Sequence, residues 1–171
     1  VPSTIDTDNY LLSLTNNKRR AIKQLQKGQQ VVNNVGFNEY WDFFIHSYNL
    51  RGRIPKYSRV KMEKLFNAFT HNDAGNVYAS KYEDGRITSV HIVLRDNRRS
   101  YSMFDTYDPN EKLSSQVLLK YSAIDDSAKH NLDYDFEGSM IPGVAKYNSE
   151  FNAELEPYYV ITKYSPRMKL Y

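Results

Sequence analysis

From Asn76 to Tyr107 the chain alternates with a period of two, and two turn signals interrupt the alternation. Val77 to Glu83, Arg86 to Arg95 and Arg99 to Tyr107 therefore read as strands, joined by Asp84-Gly85 and by Asp96-Asn97-Arg98. Linkers this short force neighbouring strands to run antiparallel, so this stretch fixes a meander. In its middle strand both side-chain sets are largely apolar or small, Thr88, Val90, Ile92 and Leu94 against Ile87, Ser89, His91 and Val93. Such a strand belongs at the centre of a sheet covered on both faces. His91 then reads as a hydrogen-bonded core histidine, and His46, with no second ligand near it in sequence, as a surface one.

Helical periods flank the meander. Residues 4 to 28 read as a helix in two pieces, with Asn16 or Asn17 as the cap between them and Gly28 as the stop. The second piece carries Lys18, Arg19, Arg20, Lys23 and Lys27 without an acid, and turns Ile22 and Leu25 inward. Its cations suit either a solvated face or contact with phosphates. Val31 to Val35 reads as a short strand. Asn38 is the expected cap of a helix with Trp41, Phe44, Ile45 and Tyr48 on one face, and Ser58 that of a helix with Met62, Leu65, Phe66 and Phe69. Between them Arg51 and Arg53 sit in a Gly- and Pro-containing loop, placed to bind a carboxylate or phosphate, or simply exposed.

After Tyr107 the turn Asp108-Pro109-Asn110 leads to a helix with Leu113, Val117, Tyr121, Ile124 and Ala128 inside. The start of that helix presents free amides that can hold an anion, and Ser114 and Ser115 sit where they could cap it or assist. Leu132 to Glu137 follows as a strand with Asp133, Asp135 and Glu137 on one face and Leu132, Tyr134 and Phe136 on the other. Gly138 ends it, and Pro142 opens a helix running from Val144 to Phe151. Leu155 to Lys163 reads as a last strand.

Composition excludes some chemistries. The 171 residues include no cysteine, so disulfides, cysteine nucleophiles and thiolate metal sites are ruled out, which fits a reducing, cytoplasmic setting. No apolar run suits membrane insertion, and no metal-ligand spacing appears. The net charge of +3 gives no strong global field. Val1 in place of a methionine fits a processed form or a piece of a longer chain.

The order of elements, with the words at its joints, resembles the GNAT-like acyltransferase superfamily, specifically the branch of the Fem-type peptidoglycan aminoacyltransferases. The resemblance rests on Asn16 to Lys23, on Asp108-Pro109-Asn110 with its helix, on Tyr134 to Ser139, and on Gly143 to Glu154. It implies an α/β (α+β) fold with a mixed, mostly antiparallel sheet and helices on both faces. Residues 1–171 would be one GNAT-like domain: basic N-terminal helices at 1–28, a strand, two helices and the meander at 29–107, and helix-strand-helix-strand at 108–171. It implies transfer of an acyl or aminoacyl group to an amine on a small-molecule or peptide-bearing acceptor, such as a cell-envelope precursor. The donor would be acyl-CoA or aminoacyl-tRNA, the latter bringing the only nucleic acid, and a second GNAT-like domain would accompany this one. Glu137 is then the candidate base and Tyr147 the candidate acid, with Asp135, Ser139, Lys146, Arg51 and Arg53 as substrate contacts and Asn110, Ser114 and Ser115 as donor contacts. The turn from Tyr107 to Leu113 contains no glycine. That departure supports a second expectation, a non-catalytic module that recognises a peptide, glycan or nucleotide-sugar.

Overall fold

The computed structural model describes residues 1–33, 35–157 and 159–162. Its elements run α1 (Thr7–Ser13), α2 (Asn16–Leu25), β1 (Gln30–Val32), α3 (Phe37–Leu50), α4 (Arg59–His71), β2 (Gly75–Lys81), β3 (Ile87–Arg95), β4 (Arg99–Tyr107), α5 (Gln116–Lys129), β5 (Asp133–Asp135) and α6 (Pro142–Ser149). The sheet has the order β1-β2-β3-β4-β5, antiparallel throughout except for the parallel pair β4–β5. A parallel neighbour needs a crossover, and α5 provides it. The meander is as expected, with β3 at the centre of the sheet.

Alternation along the strands divides the core. Tyr78 and Val93 face α1, α2 and α5, where Tyr10, Leu14, Ile22, Leu25, Leu119 and Ile124 pack with Tyr134 and Phe151. Val77, Ala79, Val90 and Ile92 face α3 and α4, against Tyr40, Phe44, Met62, Phe66 and Phe69. The fold is thus a mixed α/β sheet with helices on both faces. Among the described residues no helix is long and apolar enough to cross a membrane.

Several boundaries differ from the sequence expectation. Thr15 caps α2 by accepting from the Lys18 amide, while Asn16 is already helical and accepts from Arg19. Gly36, with no side chain to cap with, precedes α3, while Asn38 is already helical and accepts from Arg59 Nη2 at 2.6 Å. Ser58 caps α4 as expected. The acidic strand is shorter than its alternation suggested. β5 ends at Asp135, because Glu137 and Gly138 take φ of +61° and +65°, and two successive left-handed residues turn the chain out of the sheet. The last strand is a correction: residues 155–157 and 159–162 form no regular structure, and Leu155, Tyr159, Val160 and Ile161 are exposed. Val1 occupies the edge of β5, exchanging backbone bonds with Tyr134 at 2.7 Å each way. Tyr158 and residues 163–171, which include the rest of that expected strand, lie outside the described residues.

Candidate active site

The cleft arises where β4 and β5 part. Their pairing covers Arg99–Asp133, Ser100–Tyr134 and Tyr101–Asp135, and stops there. On the other side of β4, Val93 pairs with Ser102 and Ile92 with Phe104, so Met103 is an extra residue and forms a bulge. A bulge bends its strand and increases the local twist, which carries the rest of β4 away from β5. It also resets the faces. Without it, Ser102 and Asp105 would point to opposite sides of the sheet. With it, both reach the Lys120 ammonium of α5, at 2.9 and 2.8 Å, while Thr106 bonds to Ser47 of α3 on the far face.

Lys120 is buried, and behind Asp105 lies the fully buried His91. Its Nδ1 is 2.5 Å from Asp105 Oδ1, a close electrostatic contact without the angle of a hydrogen bond. Its Nε2 shares a proton with the Tyr134 hydroxyl at 2.7 Å. Burial pushes the Asp105 carboxyl up, but His91 and Lys120 outweigh it and hold the group below the usual carboxylate range. The Asp105 side chain keeps 29% of its exposure, so this ionised carboxylate still faces the cleft. His91 is the core histidine the alternation predicted, with a cleft carboxylate attached to it.

The opposite wall comes from the segment after β5. Phe136, Gly143, Val144, Tyr147 and Asn148 line a cleft of about 290 Å³, together with Ser102, Asp105, Gln116 and Lys120. Phe136 reaches it because it points to the same side as Tyr134, and the two rings meet edge to face at 5.0 Å. Gly143 has no heavy atom within 4 Å of where a Cβ would stand, so its place is open space. The Tyr147 hydroxyl is buried and has no hydrogen-bond partner. Burial first, then Asp105 and Glu150, push this phenol up, so it stays protonated.

Beneath Tyr147 stands Lys18. Its Nζ lies 3.2 Å from the Tyr147 ring centroid, 4.6 Å from that of Phe151 and 3.3 Å from Glu150 Oε2. The expected solvated basic helix holds for Arg20, Lys23 and Lys27, which are exposed, but not for buried Lys18. Burial lowers its ammonium to about 8 despite the attraction of Glu150, and Lys120 adds to the fall.

Of the residues singled out from sequence, Tyr147 is brought to the cleft. Asp135 accepts from the Glu137 amide at 2.8 Å and from Arg99 at 3.4 Å. Glu137 is exposed beside the cleft and is not among the residues lining it. The Ser139 hydroxyl accepts from the Ile141 amide before α6, and Lys146 is exposed on that helix. Arg51 turns inward to Ser47 and Thr106 and packs between the Tyr48 and Tyr107 rings, whereas Arg53 is exposed. Asn110 is exposed in an Asp108-centred turn. Ser115 is buried with Thr88 and Gln29 at 2.8 and 2.7 Å, while the neighbouring Ser114 hydroxyl has no partner.

The sequence reading singles out neither Asp105 nor Lys120, and it places Lys18 only among the cations of a basic helix. Lys120 follows Val117 by three and precedes Ile124 by four, within the buried stripe of α5. Lys18 precedes Ile22 by four and Leu25 by seven, within that of α2. A lysine inside an apolar stripe was the available signal. Among the described residues no group of His, Cys, Asp and Glu is gathered to hold a metal.

A mostly antiparallel sheet whose parallel pair splays over a cleft defines a GNAT-like fold. The chain matches the model of the acetyltransferase (GNAT) domain over residues 13–148 and belongs to that family. No curated protein matches it. Among solved structures it is similar to FemX, with a TM-score of 0.73 at 12% identity over 88% of this chain and 57% of that one. A possible acetyltransferase from Clostridium difficile 630 superposes with a TM-score of 0.55 at 13% identity, over 81% of this chain and 97% of that one. An aminoglycoside acetyltransferase from an uncultured soil metagenomic sample, in complex with sisomicin, gives 0.53 at 10% identity, over 84% and 99%. At these identities the likeness is one of fold. The chain spans little more than half of FemX.

Proposed function

We propose that this protein is an N-acyltransferase that takes its acyl group from an acyl-CoA bound in the cleft between β4 and β5. The observation that carries the reading is the splay itself. Past Tyr101 the side of β4 that faced β5 has no strand partner among the described residues. Its free amides and carbonyls can hold an extended donor arm as another strand would. The ionised Asp105 receives the acceptor amine at the cleft floor. Once the bound ammonium has given one proton to water in the open cleft, the amine's lone pair attacks the thioester carbonyl, a C–N bond forms and the C–S bond breaks. Tyr147, protonated and without a competing partner, gives its proton to the departing sulfur. Balance then requires that the amine's second proton leave, either to restore Tyr147 or to solvent.

The likeness to FemX, of which this chain spans 57%, supports placement in the Fem-type branch and a second domain in the parent chain; an envelope precursor as acceptor is the expectation that goes with that branch. The test is a thermal-shift titration with CoA, acetyl-CoA and longer acyl-CoAs, followed by transfer to amine acceptors. A ligand at a hundred times its dissociation constant stabilises by about 2.7 kcal/mol. If no acyl-CoA stabilises the protein, the donor assignment is lost, and aminoacyl-tRNA becomes the donor to try in the same assay. A Glu137→Gln variant with an unchanged transfer rate would limit that residue to shaping the turn. The second reading, a non-catalytic binding module, draws on the glycine-free turn before α5 and on the inward Ser115 hydroxyl, which remove two contacts a pyrophosphate would use. Stabilisation by a nucleotide-sugar, glycan or peptide, and by no acyl donor, would select it.

A further inference from the structure

We infer that Lys18 is a positioning residue for Tyr147, its ammonium against the phenol face easing release of the hydroxyl proton to the leaving group. The inference rests on the acyl-transfer reading above and adds a residue from a different element to it. The geometry is specific: a cation 3.2 Å from a ring centroid lies on the negative face of the ring quadrupole. From there it stabilises the negative charge that the phenol oxygen acquires as the proton leaves. It opposes the influences that hold the proton in place, namely burial and the carboxylates of Asp105 and Glu150.

A purely structural account of Lys18 meets a physical difficulty. A buried ammonium is costly, and an apolar side chain of the same length would pack among Ile22, Leu25 and Phe151 without that cost. Glu150 offsets only part of it, since its own side chain is 34% exposed and solvated. The charged groups around Lys18 are Glu150 at the C-cap of α6, whose attraction raises its affinity for a proton, and Lys120 on α5, whose repulsion lowers it. Burial dominates both and brings the ammonium to about 8. Lys18 is therefore charged at neutral pH and neutral in moderately alkaline solution, so its contribution can be switched off without mutation.

The experiment compares Lys18→Met, Lys18→Arg, Tyr147→Phe and the Lys18→Met/Tyr147→Phe pair, with acetyl-CoA as donor and an amine found to accept the acetyl group. Lys18→Met is expected to lower kcat about tenfold, which corresponds to about 1.4 kcal/mol, while the affinity for CoA changes less than about twofold. Lys18→Arg, which keeps a cation over the ring, restores part of the rate. Lys18→Met on top of Tyr147→Phe adds nothing, because the hydroxyl it serves is gone. The ratio of wild-type to Lys18→Arg kcat falls as pH passes through about 8, since only the wild type loses its charge there. Equal penalties for Lys18→Met in the presence and absence of the Tyr147 hydroxyl would reduce Lys18 to a fastening for α6 and overturn the inference. So would an unchanged kcat in Lys18→Met when Tyr147→Phe is slow. A Tyr147→Phe variant as fast as wild type would instead remove the acid role of Tyr147, a failure of the underlying reading.

Discussion

Replacing Asp105 by Asn tests the cleft floor at its most connected point. Asp105 Oδ2 is 2.8 Å from the ammonium of Lys120, whose side chain is only 5% exposed, and Oδ1 is 2.5 Å from His91 Nδ1. The amide is nearly isosteric but uncharged, so the Lys120 ammonium loses its counter-charge. Removing one partner of a buried pair costs about 3–5 kcal/mol, because the remaining charge is left uncompensated. Access of water to Asp105 in the cleft places the expected loss near the lower end, about 3 kcal/mol. Urea unfolding at neutral pH measures it, and a chain of this length should lose about 6–12 °C in Tm. Adding Lys120→Met should recover most of the loss, since the double variant leaves no unpaired charge at the cleft floor. The pH dependence has a defined sign. The folded carboxyl lies below its unfolded value, so the pair stabilises above about pH 3.9 and the contribution is lost as pH falls below that. Asp105→Asn should flatten this acid limb. A loss below about 1 kcal/mol, or a double variant less stable than Asp105→Asn alone, would refute the account of Lys120 as a cation held by Asp105.

Three further outcomes follow from the same geometry. Lys18 has a folded value of about 8, below its unfolded one, so the unfolded chain holds the extra proton between these values and stability should rise with pH across that window. The gain is up to about 3 kcal/mol, and denaturant titrations of Lys18→Met should show a flat profile there. Gly143→Leu places a branched side chain in open cleft space without backbone strain. Isothermal titration should find acyl-CoA affinity reduced at least about tenfold with Tm within about 2 °C of wild type, and undiminished binding would move the donor elsewhere. Deleting Met103 removes the bulge yet leaves Ser102 and Asp105 two positions apart, so the Lys120 contacts survive while β4 straightens. Hydrogen exchange should then show new protection beyond Tyr101 with donor binding lost, and a variant that still binds donor would separate the cleft from the bulge.

What sequence reveals here depends on whether a signal is carried by period or by a single residue. The meander was legible because Asp84-Gly85 and the Asp96 turn punctuate a long period-two run, and its central strand was legible from two apolar faces. Tyr147, which lines the cleft, was singled out through the family resemblance. The bulge was not, since Ser102-Met103-Phe104 continues an unbroken run of strand-forming residues and nothing local marks the extra one. With the bulge hidden, a period-two count sends Asp105 to the wrong face, and its contact with Lys120 cannot be foreseen. The acidic face of residues 133–137 misled for the converse reason. Its alternation is real over three residues and then broken by the left-handed Glu137, so the side that meets the cleft is that of Phe136.

The bulge and the two buried lysines belong to one physical arrangement. Once β4 leaves β5, the sheet has a gap that a core residue would ordinarily fill. Here the gap keeps an ionised carboxylate at its floor, and that carboxylate survives partial burial because Lys120 and His91 stand against it. The wall across the gap is α6, which buries no complete residue of its own and is joined to the body through Tyr147, Glu150 and the following Phe151, the groups around Lys18. Each lysine thus carries charge to a place where apolar packing alone would be more stable. A fold selected only for stability would replace both with Leu or Met. Lys18 against the Tyr147 ring and Lys120 against the Asp105 carboxylate set charge on two walls of one cleft, which is what the proposed transfer needs to hold an amine and a thioester carbonyl away from bulk water.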